Sequence, residues 1–268
     1  MLSPIGRFAT AAAGNFSDQA QPEPAHQQSE IEKQKLRLNA TEIEERRDAV
    51  MHLGALRRSE ASRAAIPALY DPSPIVRVAA TVAVSFLPGE ESTKLLLPLL
   101  NDEDPFVRQE VAYALGSTRN RRAVAALMEH LTTDKEDGVR SAAAVALGMI
   151  KDEEAVVPLS QVLSTAGLSP RGVLRRKTKD NAFLLRAAAH ALGEIRSRAG
   201  VPALIVALSN DSLADDIRRE AAQSLGLIAD PSALPALRAA TSGHDPHLSR
   251  IAFEALQKIE VTSPTKQP

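Results

Sequence analysis

The sequence predicts an all-α protein, a right-handed α-solenoid of about seven helix pairs. Its composition is the first reason: the 268 residues include 45 Ala and 32 Leu, but only 2 Tyr, 6 Phe and no Trp. Alanine and leucine are strong helix formers, whereas an all-β fold needs β-branched and aromatic runs separated by turn residues. A recurring segment is the second reason. It occurs seven times and ends at Gly54, Ser85, Gly116, Gly148, Gly193, Gly226 and Gln257.

Each copy of this segment reads as the second helix of a pair, with the first helix before it. Val107, Val111 and Leu115 are spaced at i, i+4 and i+8, which places them on one helical face, and the glycine is expected to end the helix. A single pair cannot bury both apolar faces, so neighbouring pairs should stack around a shared core. With two helices per copy, we expect 14 helices.

Capping residues mark where several helices should begin. Four dipeptides place a capping oxygen before a proline at the first helical position: Ser73-Pro74, Asp104-Pro105, Asp230-Pro231 and Asp245-Pro246. In the first pair, Ser29 with Glu32 and Thr41 with Glu44 have the spacing of a capping box.

Segments 137–149 and 215–228 share a further pattern. An aspartate is followed three residues later by arginine, then by alanines and a Leu-Gly pair. This pattern resembles HEAT repeats of the phycobilisome-lyase-like type, and the resemblance covers roughly residues 29 to 260. It implies that the second helices line the concave face of the solenoid and the first helices its convex face. It does not fix a function, because these repeats serve many unrelated proteins.

The sequence divides into a repeat region and two tails. Residues 1–28 should be disordered, residues 29–261 should form the solenoid, and residues 262–268 should be a disordered tail. One insertion, at about residues 165–181, interrupts the fifth repeat. It carries a net charge of +4, with Asp180 opposing Arg171, Arg175, Arg176, Lys177 and Lys179. This basic loop is either a solvated linker or a landing site for an acidic peptide, a nucleic-acid backbone or an anionic cofactor.

Several classes of function are disfavoured. With no Cys, the chain has no thiolate chemistry, and its six His include no His-Glu pair of the kind that similar repeats use to hold iron in deoxyhypusine hydroxylase. His244 and His247 lie close in sequence but lack further ligands, so we expect no metal and no cofactor. Relatives among the HEAT-like DNA glycosylases depend on Trp and a basic groove, so the net charge of −1 also makes nucleic acid an unfavoured partner. We find no signal peptide and no apolar run long enough to span a membrane, and therefore expect a cytoplasmic protein.

One arginine recurs at the same position of several repeats: Arg46, Arg77, Arg108, Arg140 and Arg218. These arginines could form a ladder for anions. The favoured interpretation is structural: in similar repeats, this arginine braces neighbouring units through a loop aspartate.

Positions one and five residues beyond this arginine point away from the shared core and should line the concave face. The candidate partner-binding residues are Val78, Val82, Tyr113, Val145, Arg186, His190, Arg219 and Arg250. They predict a groove that is apolar toward the N terminus and basic toward the C terminus. The alternative is that Val78, Val82 and Val145 are buried between helices.

Two hypotheses for the function follow. The leading one is a non-enzymatic scaffold that holds a protein partner on its concave face, where the C-terminal arginines and the basic loop favour an acidic segment. The other follows from the resemblance alone. It is a lyase or chromophore-handling subunit acting with a partner protein, for which no catalytic residue is identified.

Overall fold

The computed structural model of the protein describes residues 24–164 and 179–262. Within these two ranges, the chain forms fourteen α-helices and six short 3-10 helices, with no β-strand. The predicted all-α solenoid is confirmed. No helix in the described ranges is both long enough and apolar enough to cross a membrane.

The helices form seven pairs, as the repeat predicts. The first helices are α1 (Pro24–Arg37), α3 (Ser59–Ala64), α5 (Gly89–Leu96), α7 (Val124–Thr133), α9 (Val156–Ser164), α11 (Val201–Ser209) and α13 (Leu234–Ala240). The second helices are α2 (Ile43–Ala55), α4 (Pro74–Val84), α6 (Pro105–Thr118), α8 (Asp137–Ile150), α10 (Lys179–Ile195), α12 (Asp215–Ile228) and α14 (Pro246–Thr262).

The 3-10 helices lie at the ends of first helices. Two of them follow α3 and α5, and four precede later first helices: Ile66–Tyr70, Leu97–Asn101, Arg121–Ala123, Glu153–Ala155, Arg198–Gly200 and Pro231–Ala233. Each of the last four begins after a side chain that accepts a hydrogen bond from the backbone N–H two residues further on. These side chains belong to Asn120, Asp152, Ser197 and Asp230. Such a side-chain bond satisfies a donor that the helix itself leaves free.

The proline starts are confirmed, but the two capping boxes are wrong. Asp104 accepts hydrogen bonds from the backbone N–H groups of Phe106 and Val107, whereas the Ser73 side chain makes no cap bond although α4 begins at Pro74. Ser29 lies inside α1, because that helix begins at Pro24. Helix α2 is capped by Glu42 rather than Thr41, again without a side-chain bond. A proline at the first helical position fixes the start by its own φ angle, so a side-chain cap is not required there.

The repeat region extends beyond its predicted boundaries, 29 and 261, at both ends. Residues 24–28, assigned to the disordered N-terminal segment, belong to α1, and residue 262 belongs to α14. The remainder of the two predicted tails, 1–23 and 263–268, and positions 165–178 of the insertion lie outside the described residues.

The second helices pack against one another in chain order and against their own first helices, and this arrangement encloses one continuous core. Val107, Val111 and Leu115, which share one face of α6, are fully buried in it. Small side chains, mostly alanine, fill much of the space between adjacent second helices and let these helices approach closely.

The repeated glycine does not end its helix, contrary to the sequence prediction. Gly116 and Gly193 lie inside α6 and α10. A Cβ atom on Gly116 would lie 2.6 Å from Ala146 Cα, and one on Gly193 would lie 2.5 Å from Ser224 Oγ. The glycine therefore provides the close approach of consecutive second helices. Helix α6 ends instead at Thr118, and the residue that follows it, Arg119, has a left-handed φ of 52°.

The recurring arginine braces neighbouring repeats at three of its five positions. The side chains of Arg46, Arg77 and Arg108 each donate two hydrogen bonds, 2.7–3.0 Å long, to the carboxylates of Asp71, Asp102 and Asp134 respectively. Each aspartate also accepts a hydrogen bond from the backbone N–H two residues on, at the cap of the next second helix. Each arginine–aspartate pair thus connects one second helix to the start of the following one.

At the other two positions, the arginine turns back toward its own repeat. Arg140 Nε donates to the Leu131 carbonyl and Arg218 Nε to the Leu208 carbonyl, both at 3.0 Å. Arg218 lacks the aspartate partner of the earlier repeats. The corresponding position, two residues before the cap residue Asp245, is occupied by Gly243.

Candidate functional site

The exposed side of the second-helix layer is the surface that the sequence predicts to bind a partner, and we call it the second-helix face. Most residues one and five positions beyond the recurring arginine are exposed or half-buried, whereas Ser141 in the first of these rows is fully buried. Some of these residues line a groove at the N-terminal end of this face. The arginines toward the C-terminal end form ion pairs with carboxylates.

The groove lies between α2 and α4 and encloses about 430 Å³. Its exposed apolar walls are Met51, Ile75, Val82 and Phe86, with the half-buried Val78 at its base. Val82 is 43% exposed and Met51 57% exposed, so neither is a core residue. A contiguous set of exposed apolar side chains is typical of an interaction site rather than of ordinary surface. We call it the α2–α4 groove.

Two arginines line the α2–α4 groove, and they differ in how their charge is compensated. The Arg47 side chain pairs with the carboxylate of Asp48, its neighbour in sequence, at 2.9 Å. The guanidinium of Arg57 instead lies over the ring of Phe86, 5.3 Å from the ring centroid. Among the described residues, no carboxylate lies within ion-pairing distance of Arg57. Its charge is therefore held at the end of an apolar wall.

In the middle of the second-helix face, the predicted residues are less accessible. Val78, Tyr113 and Val145 are partly buried and pack against the core. For Val78 and Val145, this burial supports the alternative that they fill space between helices. Burial also raises the pKa of the Tyr113 hydroxyl and of the neighbouring Glu110 carboxyl. Val82 is thus the predicted valine that is best placed to contact a partner.

Toward the C terminus, each predicted arginine lies beside a carboxylate. Arg186 lies 3.5 Å from Asp216, Arg219 forms a bidentate pair with Asp245 at 2.7 and 2.9 Å, and Arg250 lies 2.7 Å from Glu254. The hydrogen bonds from Arg219 lower the pKa of Asp245 to about 2. The expectation of a basic C-terminal end therefore overlooked these carboxylates, which compensate the arginine charges.

The predicted His190 is also paired. Its Nδ1 lies 2.9 Å from Glu220 Oε1 on the next second helix, and this hydrogen bond raises the pKa of the imidazole although partial burial opposes it. The contact links α10 to α12.

Most residues of the predicted basic loop lie outside the described part of the chain. Arg171, Arg175, Arg176 and Lys177 lie outside the described residues, and Lys179 is the first residue of α10. Within the described ranges, no three His, Cys, Asp or Glu side chains are grouped so that they could hold a metal ion, and this includes the surroundings of His244 and His247.

Sequence reasoning missed four exposed apolar side chains of the second-helix face. Ile75, Phe106 and Phe183 lie two residues before the recurring-arginine position, and Phe86 lies nine residues after it. A signal was available for Ile75, Phe106 and Phe183, because a period of 3.6 residues places the position two residues before the arginine on nearly the same side as the fifth residue beyond it. Phe86 lies beyond the end of α4, where this period no longer applies. Phe106, at the start of α6, is the most exposed of these four side chains, at 74%.

Comparison with known proteins gives a consistent result for the fold. A family model described as HEAT repeats matches residues 33–114, 93–176 and 173–257. No curated protein matches the sequence. Among solved structures, the complex of CpcE and CpcF of phycocyanin lyase from Nostoc sp. PCC7120 is 21% identical with a TM-score of 0.51, and the alignment covers 96% of this chain and 95% of that one. Human deoxyhypusine hydroxylase is 18% identical with a TM-score of 0.40 over 88% of this chain and 98% of that one.

Proposed function

The chain belongs to the HEAT-repeat family, and we propose that it is a non-enzymatic scaffold that binds a segment of a partner protein on its second-helix face. The observation that carries the proposal is the α2–α4 groove, where Met51, Ile75, Val82 and Phe86 expose apolar surface side by side. Stacked helix repeats offer extended surfaces of this kind, and burial of such side chains supplies most of the binding free energy.

The proposal names a protein partner rather than nucleic acid or a membrane. A nucleic-acid site needs a stripe of uncompensated basic side chains to neutralise phosphates, whereas Arg186, Arg219 and Arg250 are each paired with a carboxylate. The partner segment is therefore recognised mainly by the apolar groove. A cytoplasmic location is part of this proposal and rests on the absence of cysteine from the sequence.

The experiment compares capture of partners by three forms of the chain. Val82→Asp places a charge in the α2–α4 groove, and Val157→Asp places the same charge at a valine of α9, a first helix, that is 63% exposed. A partner that is retained by the wild type and by Val157→Asp, but lost with Val82→Asp, supports the proposal. Burial of one valine is worth about 1.5 to 3 kcal/mol, so we expect an affinity loss of at least about tenfold.

Two results would contradict this assignment. If Val82→Asp retains every partner that Val157→Asp retains, the groove is not the binding site. If Val82→Asp unfolds the chain, as judged by circular dichroism, Val82 belongs to the core. The two variants should have nearly equal melting temperatures, because both replace exposed side chains.

The second candidate function is a lyase or chromophore-handling subunit that acts with a partner protein. The likeness to the phycocyanin lyase complex favours it, although at 21% identity that likeness concerns the fold. A chain with this function should change the visible absorbance of a linear tetrapyrrole on mixing. An unchanged spectrum at micromolar concentrations, with and without a captured partner, would count against this second function.

A further inference from the structure

We infer that the α2–α4 groove accepts an amphipathic helix of the partner that carries a carboxylate beside its apolar anchors, and that Arg57 recognises this carboxylate. The inference rests on the proposed function and specifies the partner's chemistry. It differs from the sequence expectation, which assigned recognition of acidic groups to the C-terminal arginines.

The lining of the groove indicates a helical occupant. Apart from Arg47 and Arg57, its side chains are aliphatic or aromatic, so they offer no hydrogen-bonding groups to an extended backbone. An extended segment would press unpaired N–H and C=O groups against these apolar walls, which is costly. A helix satisfies its own backbone groups and presents only side chains, as in other helix-in-groove complexes.

The dimensions of the groove agree with this occupant. Ile75, Val78 and Val82 are spaced at i, i+3 and i+7 and form one stripe along α4, and Phe86 follows just beyond the end of that helix. At a rise of about 1.5 Å per residue, this helical stripe is about 10 Å long, or two helical turns. Met51 lies on the opposite wall, on α2. A partner helix of two to three turns, with leucine-sized residues at i, i+3 or i+4, and i+7, would cover the stripe and reach Phe86.

The charge of the groove indicates an acidic rather than a basic partner. Its lining contains two arginines and no carboxylate, and only Arg47 has a carboxylate partner. The Arg57 guanidinium is held over Phe86, one of the groove walls, so a carboxylate at this end of the partner helix could receive charge-assisted hydrogen bonds while the anchors are buried. A lysine at the same place would meet an uncompensated like charge.

The same chemistry argues against a second copy of this chain in the groove. In a symmetric dimer, identical patches face each other, so the α2–α4 groove of one copy would meet the arginine-bearing groove of the other. Such contacts bring apolar walls together but leave the Arg57 side chains without carboxylates.

The test uses two synthetic peptides of about 15 residues as probes. Both are alanine-based helices with a leucine stripe at i, i+4 and i+7, and they differ by one residue after the stripe, which is glutamate in one and lysine in the other. Fluorescence anisotropy measures their binding to the wild type, to Arg57→Glu, to Arg119→Glu and to Val82→Asp. Arg119 is the matched control, because it is also exposed, follows a second helix at the same repeat position and has a similar left-handed φ.

We expect the wild type and Arg119→Glu to prefer the glutamate peptide by about fivefold, and this preference should weaken as salt is added. Arg57→Glu should reverse the preference, and Val82→Asp should abolish binding of both peptides. Equal binding of the two peptides, lost in Val82→Asp, would overturn the role of Arg57 while leaving the apolar site of the proposed function intact.

Two further outcomes would overturn the helical-partner inference itself. One is the absence of binding by either peptide while a captured partner still depends on Val82. The other is a wild-type dimer in sedimentation analysis that Val82→Asp dissociates, because a second copy would then occupy the groove.

Discussion

Arg108 on α6 donates hydrogen bonds of 2.9 and 3.0 Å to Asp134, 26 residues further along the chain, and thereby ties the third repeat to the loop that precedes α8. Both side chains are nearly buried, with exposed fractions of 15% and 4%. The Asp134 carboxylate also accepts a hydrogen bond from the Glu136 backbone N–H. One carboxylate thus sets the position of two consecutive repeats.

The first prediction concerns this pair. Asp134→Asn keeps the side-chain volume but removes the charge that Arg108 faces, so it should lower the free energy of unfolding by about 2 to 3 kcal/mol, measured by urea denaturation. Glu136→Gln is the control, because the Glu136 side chain is exposed and makes no cap hydrogen bond. If both variants lose less than about 0.5 kcal/mol, the pair does not contribute to stability.

The second prediction is the pH dependence of the same contact. Burial raises the pKa of Asp134, but hydrogen bonds from Arg108, from the Glu136 backbone and from His130 outweigh it and lower the pKa from its ordinary 3.8 to about 2. A depressed folded-state pKa contributes stability that is complete above pH 3.8 and is lost as the pH falls through 2. The stability difference between the wild type and Asp134→Asn should therefore be constant near pH 6 and should shrink between pH 4 and pH 2. A difference that stays constant down to pH 2 would contradict this assignment.

The third prediction concerns the close approach of second helices. Gly116→Ala would place a methyl group 2.6 Å from Ala146 Cα, which is backbone and cannot rotate away. The helices must separate, so we expect a loss of about 1 to 3 kcal/mol although alanine is the better helix former. Gly243→Ala is the control, since a Cβ atom there meets only the Ala240 carbonyl oxygen at 3.5 Å. Equal stability of the two variants would contradict the role of Gly116 in the close approach of α6 and α8.

These residues show which features of the structure can be predicted from the sequence and which cannot. The regular spacing of similar segments predicts the order and pairing of the helices, because each segment corresponds to one repeat. It cannot show that Gly116 faces Ala146, since glycine both ends helices and allows close approach. The pairing of Arg219 with Asp245, and of His190 with Glu220, depends on a partner 26 or 30 residues away on the next helix. Counting charges along one row therefore overestimated the basic character of the C-terminal end.

The candidate groove illustrates the same limit. The helical period predicts Val78 and Val82, but Phe86 and Arg57 lie just beyond the C-terminal ends of α4 and α2. Their contact depends on the left-handed backbone at Arg57. Neither the turn nor the ring contact has a sequence signal in a single repeat.

The fourth prediction is a gain of stability at the last repeat. Gly243 occupies the position of Asp71, Asp102 and Asp134, and a cavity of about 890 Å³ lies beside it, lined in part by Arg218 and Ala240. Gly243→Asp has room for its Cβ atom and would bring a carboxylate within reach of Arg218. The new pair must compete with the present bonds of Arg218 to the Leu208 carbonyl and to Asp211, so we expect a net gain of about 1 kcal/mol and a rise in melting temperature of about 2 to 4 °C.

A double-mutant cycle separates the ion pair from other effects of the substitution. Gly243→Asn provides the same shape without charge and should gain much less than Gly243→Asp. In an Arg218→Ala background, the gain from Gly243→Asp should disappear, because the carboxylate then has no cation to pair with. If Gly243→Asp stabilises both backgrounds equally, the effect comes from the loss of a flexible glycine in the unfolded chain. If it destabilises the wild type, repulsion from Asp211, Asp215 and Asp245, which line the same cavity, exceeds the attraction of Arg218, and the seventh repeat cannot accept the arginine–aspartate pair of the earlier ones.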